Sequence, residues 1–160
     1  MLVTIGGASV GDYDLIKSVL GTEGLDISFS RVAMRPGKPL IFGNLSGIPM
    51  LGLPGNPVSA SVTATLFLRP AINKMLGIKR NSNNLETAIL GCDLEKNDLR
   101  QDYLRAKLSI DKAGKTIVTP FDQQDSSMLA NYAKAHCLVV RQPLAKALAK
   151  GDLVSVLRLD

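Results

Sequence analysis

The chain has 160 residues, of which 46% are hydrophobic, with a formal charge of +5 and a pI near 9.4; this length allows one or two domains with real cores. No apolar run approaches the ~20 residues that span a bilayer, and Met1-Leu2-Val3 carries no basic region ahead of a signal-type segment, so a cytoplasmic protein without a membrane partner is expected. The basic residues are dispersed, as in Lys79-Arg80, Lys112, Lys115, Lys146 and Lys150, and only 4% of residues are aromatic, which argues against nucleic acid as a partner and leaves a field that draws in small polyanions.

Leu2-Val3-Thr4-Ile5 reads as a buried strand, and Gly6-Gly7-Ala8-Ser9-Val10-Gly11-Asp12-Tyr13-Asp14 as the loop after it. Its glycines allow close backbone approach to a ligand, Ser9 adds a hydroxyl, and Asp12 or Asp14 can cap the helix expected from about residue 14 to 21 or bind a metal. Strands follow near residues 26 to 34, 39 to 43 and 49 to 53. Between the first two, the Pro-Gly turn of Arg31-Val32-Ala33-Met34-Arg35-Pro36-Gly37-Lys38-Pro39 holds the cations of Arg35 and Lys38 close together.

The most telling stretch is Leu51-Gly52-Leu53-Pro54-Gly55-Asn56-Pro57-Val58-Ser59-Ala60, an apolar strand end that turns directly into a helix. Gly55 lets the backbone turn close to a ligand, Asn56 is a good N-cap, and Pro57 at the first helical position removes an N–H that has no intrahelical partner. The remaining N–H groups, with the positive end of the helix dipole behind them, suit phosphate or another oxyanion. Two such loops in one small domain suggest a shared ligand.

The helix is expected from about residue 57 to 76, ending at Gly77, with Val58, Val62, Leu66, Ala71, Met75 and Leu76 facing the core and a kink at Pro70. Asn81-Ser82-Asn83-Asn84 is a polar break, placing one domain at 1–80 and a second at 85–160. Short alternating segments (Thr87 to Leu90, Tyr103 to Ile110, Thr116 to Thr119, Cys137 to Val140, Val154 to Leu157) then read as a small barrel or sandwich. Cys92 and Cys137 have no CxxC or His spacing and read as reduced thiols, and His136 as a packed or exposed residue at a strand head.

The strings Gly6 to Asp14, Arg35-Pro36-Gly37-Lys38-Pro39 and Gly52 to Ala60, in this order and spacing, resemble the molybdopterin molybdenumtransferases of molybdenum cofactor biosynthesis. Gln101-Asp102-Tyr103-Leu104-Arg105-Ala106-Lys107-Leu108 and Gln124-Asp125-Ser126-Ser127-Met128-Leu129 are similar to that family's C-terminal β domain. The resemblance implies an α/β fold: part of a three-layer MoaB/Mog-like domain of molybdenum-cofactor biosynthesis, followed by a small all-β barrel-like domain. Family members are much longer and carry a Thr-Gly-Asp-Glu type motif without a counterpart here, so the chain is expected to be the C-terminal portion of a longer enzyme, or to pair with a separate chain supplying the rest.

By resemblance, the expected activity is insertion of molybdate into adenylylated molybdopterin with release of AMP, assisted by Mg2+, in a parent enzyme that is a homodimer. Asp14 then stands as the catalytic carboxylate and metal ligand, with Lys38 beside it. Arg35 and Lys38 match two basic positions thought to hold molybdate, the first being Lys in the family, and a planar guanidinium does not replace an ammonium without a change of geometry. Substrate contacts are expected from Gly6, Gly7, Ser9, Gly11, Gly55, Asn56 and Ser59, with Pro54 and Pro57 shaping the loop and Arg105 and Ser126 completing an oxyanion pocket. Rival readings are a molybdopterin-binding or scaffold module without turnover, and the sibling adenylyltransferase, which lacks the β domain.

Overall fold

The computed structural model describes residues 1–6, 19–79 and 84–159. Two units divide the chain, Met1–Lys79 and Arg80–Asp160. In the first, strands β1 (Leu2–Ile5), β2 (Leu25–Arg31), β4 (Pro39–Leu45) and β5 (Ile48–Leu53) form a sheet in the order β1-β5-β4-β2, while β3 is the two-residue strand Met34–Arg35. The expected strand at 26 to 34 therefore stops at Arg31, where the chain leaves the sheet.

Strand β1 lies parallel to β5, and β4 antiparallel to both β5 and β2. The β4–β5 hairpin turns through Ser46 and Gly47, both at positive φ (48° and 89°), the pairing that matches the right-handed strand twist. The Gly47 N–H donates to Asn44 Oδ1 at 2.6 Å. Alternation sends Ile41 and Met50 to one face, with Leu2, Leu20, Leu25 and Ile27, and Leu40, Leu51 and Leu53 to the other.

That second face is covered by the long helix, built from α1 (Pro57–Thr63), a π-helical turn (Ala64–Leu68) and α2 (Arg69–Met75), with Ala60, Ala64, Phe67 and Leu68 against the sheet. Pro70 has no N–H for the Leu66 carbonyl and its ring crowds it; the wide π turn just before Pro70 is where the helix absorbs this defect. The helix ends as its sequence indicates, since Gly77 (φ 71°) donates to the Lys74 carbonyl and Ile78 to that of Asn73, a Schellman cap.

Two of the expected core residues are corrected. Met75 and Leu76 are 62% and 69% exposed. The π turn shifts the helical register, at about 100° per residue, so a stripe drawn at uniform spacing leaves the sheet after Leu68.

In the second unit β6 (Leu85–Leu90), β7 (Gln101–Ile110), β8 (Thr116–Pro120), β9 (Cys137–Arg141) and β10 (Leu153–Arg158) follow the order β7-β8-β6-β10-β9, and β7 also pairs with β9. The pairing closes a five-stranded barrel around Ala88, Leu90, Ala106, Val118, Cys137, Val139, Val154 and Val156. A short helix, α3 (Leu129–Ala133), precedes β9 and was not legible in the sequence. Asn97 ties the loops by donating to the carbonyls of Arg100, Arg141 and Gln142.

The Cys137 thiol lies in this core, where burial is the main cause pushing its pKa up to about 11. A thiol that is neutral at neutral pH is a poor nucleophile. Native protein is therefore expected to leave Cys137 unlabelled by a thiol reagent at pH 8 until denaturant is added; rapid labelling without denaturant would contradict this packing.

Candidate anion site at the strand ends of the first unit

Topology gathers the sequence motifs at one end of the sheet. Parallel strands β1 and β5 finish together, with Ile5 opposite Leu53, and antiparallel β4 begins at the same end, with Ile41 opposite Gly52. Gly6, the turn Pro54–Asn56 and Lys38 thus leave from neighbouring strand ends. The Gly6 N–H donates to the Leu53 carbonyl at 3.1 Å, Gly6 sits at φ 84°, and a Cβ on Gly55 would lie 3.4 Å from Gly6 Cα. The two turns therefore lie close together, and the positive φ of Gly6 is the conformation that favours glycine there.

At the helix start, Asn56 is extended (φ −69°, ψ 125°) and its Oδ1 accepts from the Ser59 N–H at 3.4 Å, while Ala60 N–H donates to the Asn56 carbonyl at 2.8 Å. Pro57 has no N–H. Val58 therefore keeps an N–H that no acceptor takes among the described residues. Ser59 is buried, its N–H is given to Asn56 Oδ1 and its carbonyl accepts from Thr63 Oγ1, so its backbone serves the helix start itself.

The Arg35-to-Lys38 turn is fastened at both ends. Val32 N–H donates to the Lys38 carbonyl at 3.0 Å and Met34 N–H to that of Val32 at 2.8 Å. Pro36 and Gly37 are buried, Arg35 and Lys38 exposed. Gly37 has φ 108°, and a Cβ there would meet Thr63 Cγ2 at 2.5 Å and Met34 Cε at 3.2 Å, so the turn is seated directly on α1. Arg31, exposed at the end of β2 and opposite Pro39, adds a cation one register step from Lys38. Reading by motif overlooked it because it stands outside the Pro-Gly turn; the signal was three cations within eight residues.

Gly7, Ser9, Gly11 and Asp14 lie outside the described residues, and with them the metal assignment. Among the described residues no group of three or more His, Cys, Asp or Glu is placed to hold a metal.

The second unit assembles its own polar cluster. Arg105 is 1% exposed, its backbone N–H and carbonyl are both held by the Gln124 side-chain amide, and Nη2 donates to the Asp125 carbonyl at 3.2 Å. Burial lowers the Arg105 pKa, against the charges of Asp125 and Asp102. The Asp125 carboxylate accepts from both the N–H and the hydroxyl of Ser127, which holds its pKa below the ordinary range. Half-buried Ser126 sits in this same loop. Asp102 and Arg141, both buried and opposite each other on β7 and β9, were not anticipated; Arg141 Nη2 donates to the Glu95 and Lys146 carbonyls at 3.0 and 2.6 Å.

Glycine turns at the carboxyl ends of adjacent parallel strands, a proline-led helix start and a cationic turn give this α/β domain a strand end of the kind that suits anions, and a closed β-barrel follows it in the chain. Known proteins sharpen this. A family described as "Probable molybdopterin binding domain" matches residues 1–74, and one described as "MoeA C-terminal region (domain IV)" matches residues 87–159. A molybdopterin molybdenumtransferase of Haemophilus influenzae is 34% identical over 157 residues, covering 98% of this chain and 39% of that protein. The molybdenum cofactor synthesis protein cinnamon of Drosophila melanogaster is 37% identical over 170 residues, covering 99% of this chain and 27% of that protein. The crystal structure of a molybdopterin biosynthesis MoeA protein from Pyrococcus horikoshii superposes with a TM-score of 0.76 at 28% identity, over 98% of this chain and 36% of that one.

The chain thus resembles the probable molybdopterin binding domain over residues 1–74 and the MoeA C-terminal region over residues 87–159, and it spans under half the length of these relatives. No helix among the described residues is long and apolar enough to cross a membrane.

Proposed function

We propose that this chain supplies part of a molybdopterin molybdenumtransferase, and that the loops after β1 and β5, with the turn before β4, hold the anionic groups of adenylylated molybdopterin and molybdate. The observation that carries the reading is the close approach of Gly6 and Gly55 at the sheet end where Lys38 also emerges. Such a surface offers backbone donors and fixed cations where negative charge must be neutralised. Lys38 and Arg35 bind and orient the oxyanions in this reading, Asn56 and Pro57 shape the helix start, and Val58 donates its N–H. The match of the barrel to the MoeA C-terminal region favours molybdate insertion over adenylylation.

Mg2+ belongs to this proposal through Asp14 alone, so no step is derived through the metal. Ser126 is proposed as the barrel's contribution to substrate binding, whereas Arg105, 1% exposed and donating to the Asp125 carbonyl, acts by holding the loop that carries Ser126. The family resemblance further implies a cytoplasmic homodimer, and this chain by itself is expected not to produce active cofactor.

The test is equilibrium binding of adenylylated molybdopterin in the presence of molybdate. Replacing Lys38 or Arg35 by alanine is expected to weaken binding about tenfold each, the loss of one charge-assisted hydrogen bond. Unchanged affinity in both variants would remove the turn from the site.

A further inference from the structure

We propose that Gln124 is a positioning residue of the barrel: its side-chain amide interrupts the β7–β8 ladder and so sets the turn that presents the Ser126 hydroxyl to substrate. The inference rests on the reading of Ser126 as a substrate contact and adds the device that places it. In the antiparallel register Ala106 stands opposite Pro120, so the next rung would pair Arg105 with Phe121. Half of that rung forms, since the Phe121 N–H donates to the Arg105 carbonyl at 3.0 Å. The other half does not. Instead the Arg105 N–H donates to Gln124 Oε1 at 2.9 Å, and Gln124 Nε2 donates to the carbonyls of Phe121 at 2.7 Å and Arg105 at 2.9 Å. A side-chain amide offers the same donor and acceptor types as a peptide group, and here it stands in for one ladder hydrogen bond.

The chain thus leaves the ladder at Phe121 with these backbone groups satisfied. Beyond it, the Asp125 carbonyl accepts from Arg105 Nη2 at 3.2 Å and from the Met128 N–H at 3.3 Å, which closes a four-residue turn with Ser126 and Ser127 at its centre. Ser127 is committed to Asp125 Oδ1 through both its N–H and its hydroxyl, at 2.7 and 2.8 Å. Asn131 Nδ2 donates to the Gln123 carbonyl at 3.2 Å and fastens the loop again. Half-buried Ser126 has a hydroxyl that takes no partner among the described residues. A fastened turn with one uncommitted hydroxyl suits a binding contact, because little ordering remains to be done when a ligand arrives. Removing the Gln124 amide frees the Arg105 N–H and the Phe121 carbonyl to pair with each other, which extends the ladder by one rung and draws Ser126 out of place.

The experiment measures binding of adenylylated molybdopterin, with molybdate present, to the unmodified full chain, Ser126→Ala, Gln124→Ala, Gln124→Glu and each Gln124 variant combined with Ser126→Ala. Glu keeps an acceptor for the Arg105 N–H and loses both donated hydrogen bonds, so it is a second route to the same effect if Gln124→Ala does not fold. Circular dichroism checks that each variant is folded at the temperature of the titration. Ser126→Ala is expected to weaken binding about fivefold, the loss of one neutral hydrogen bond, and the Gln124 variants by a similar factor. The combined variants are expected to bind no more weakly than Ser126→Ala alone, because Gln124 acts through that hydroxyl; a merely structural role would not produce this coupling. Full affinity in folded Gln124 variants beside a weakened Ser126→Ala, or losses that multiply in the combined variants, would overturn the role of Gln124 and leave Ser126 in the site. Unchanged affinity in Ser126→Ala would overturn the Ser126 contact, and its positioning with it, while leaving the loops of the first unit untouched. Absence of binding by the unmodified chain would overturn the site as a whole.

Discussion

Gly37→Ala is expected to destabilise the first unit by about 3 kcal/mol and to weaken anion binding at the same time. Two independent causes act. At φ 108° an L-residue is strained, worth roughly 1–3 kcal/mol, and the added methyl would stand 2.5 Å from Thr63 Cγ2, an overpacking of a similar ~1–3 kcal/mol. Neither can relax easily. The turn is fastened by the Val32–Lys38 and Met34–Val32 hydrogen bonds, and Thr63 is held by its own hydroxyl bonds to the Ser59 and Ala60 carbonyls. Movement that relieves the clash must carry Lys38 with it, which links stability to binding.

Chemical denaturation and ligand titration of the same variant check this. Adding Thr63→Ser removes Cγ2 while keeping the hydroxyl, so the double variant should recover the steric part and not the backbone part. A Gly37→Ala protein as stable as the unmodified chain would show that the turn does not rest on α1 as described.

The second large effect is expected at Asp102 in the barrel. Asp102→Asn should cost about 3 kcal/mol, the range for removing one partner from a buried ionic group. Asp102 is 4% exposed and its carboxylate acts on two buried guanidiniums, those of Arg105 and Arg141. Both are already short of acceptors, since Arg105 Nε and Arg141 Nη1 have none among the described residues. Neutralising Asp102 therefore leaves two desolvated cations with less compensation.

Replacing Arg141 by methionine in the same protein should restore part of the loss, because an apolar side chain of similar length has no charge to satisfy. The check is a double-mutant cycle in denaturant, with coupling of at least ~1 kcal/mol expected for groups sharing one network. A single-variant cost under ~0.5 kcal/mol, the size of an ordinary surface change, would mean that Asp102 is not the counter-charge of this cluster.

Both predictions depend on contacts between residues far apart in sequence, and this separates what could be read from what could not. Local devices were legible. The cap at Asn56-Pro57, the stop at Gly77 and the strands of the barrel all depend on neighbours within a few residues, where chain geometry alone limits the choices. The π turn before Pro70 was visible only as a disturbance, because proline reveals a lost hydrogen bond without showing how the helix accommodates it. The exposure of Met75 and Leu76 follows from that accommodation.

What the sequence by itself determined is the resemblance to the molybdopterin molybdenumtransferases, the α/β-then-β fold class and the local turns and caps of the candidate site, since glycine, proline and capping residues encode their local backbone wherever they stand. Only the tertiary structure decided that Gly6 lies against Gly55, that Gly37 rests on Thr63, and that Arg31 stands beside Lys38. The same holds for Asp102 facing Arg141. Those relations are set by strand order and register, which bring distant segments together through pairing and packing of the whole sheet, and no local pattern records them.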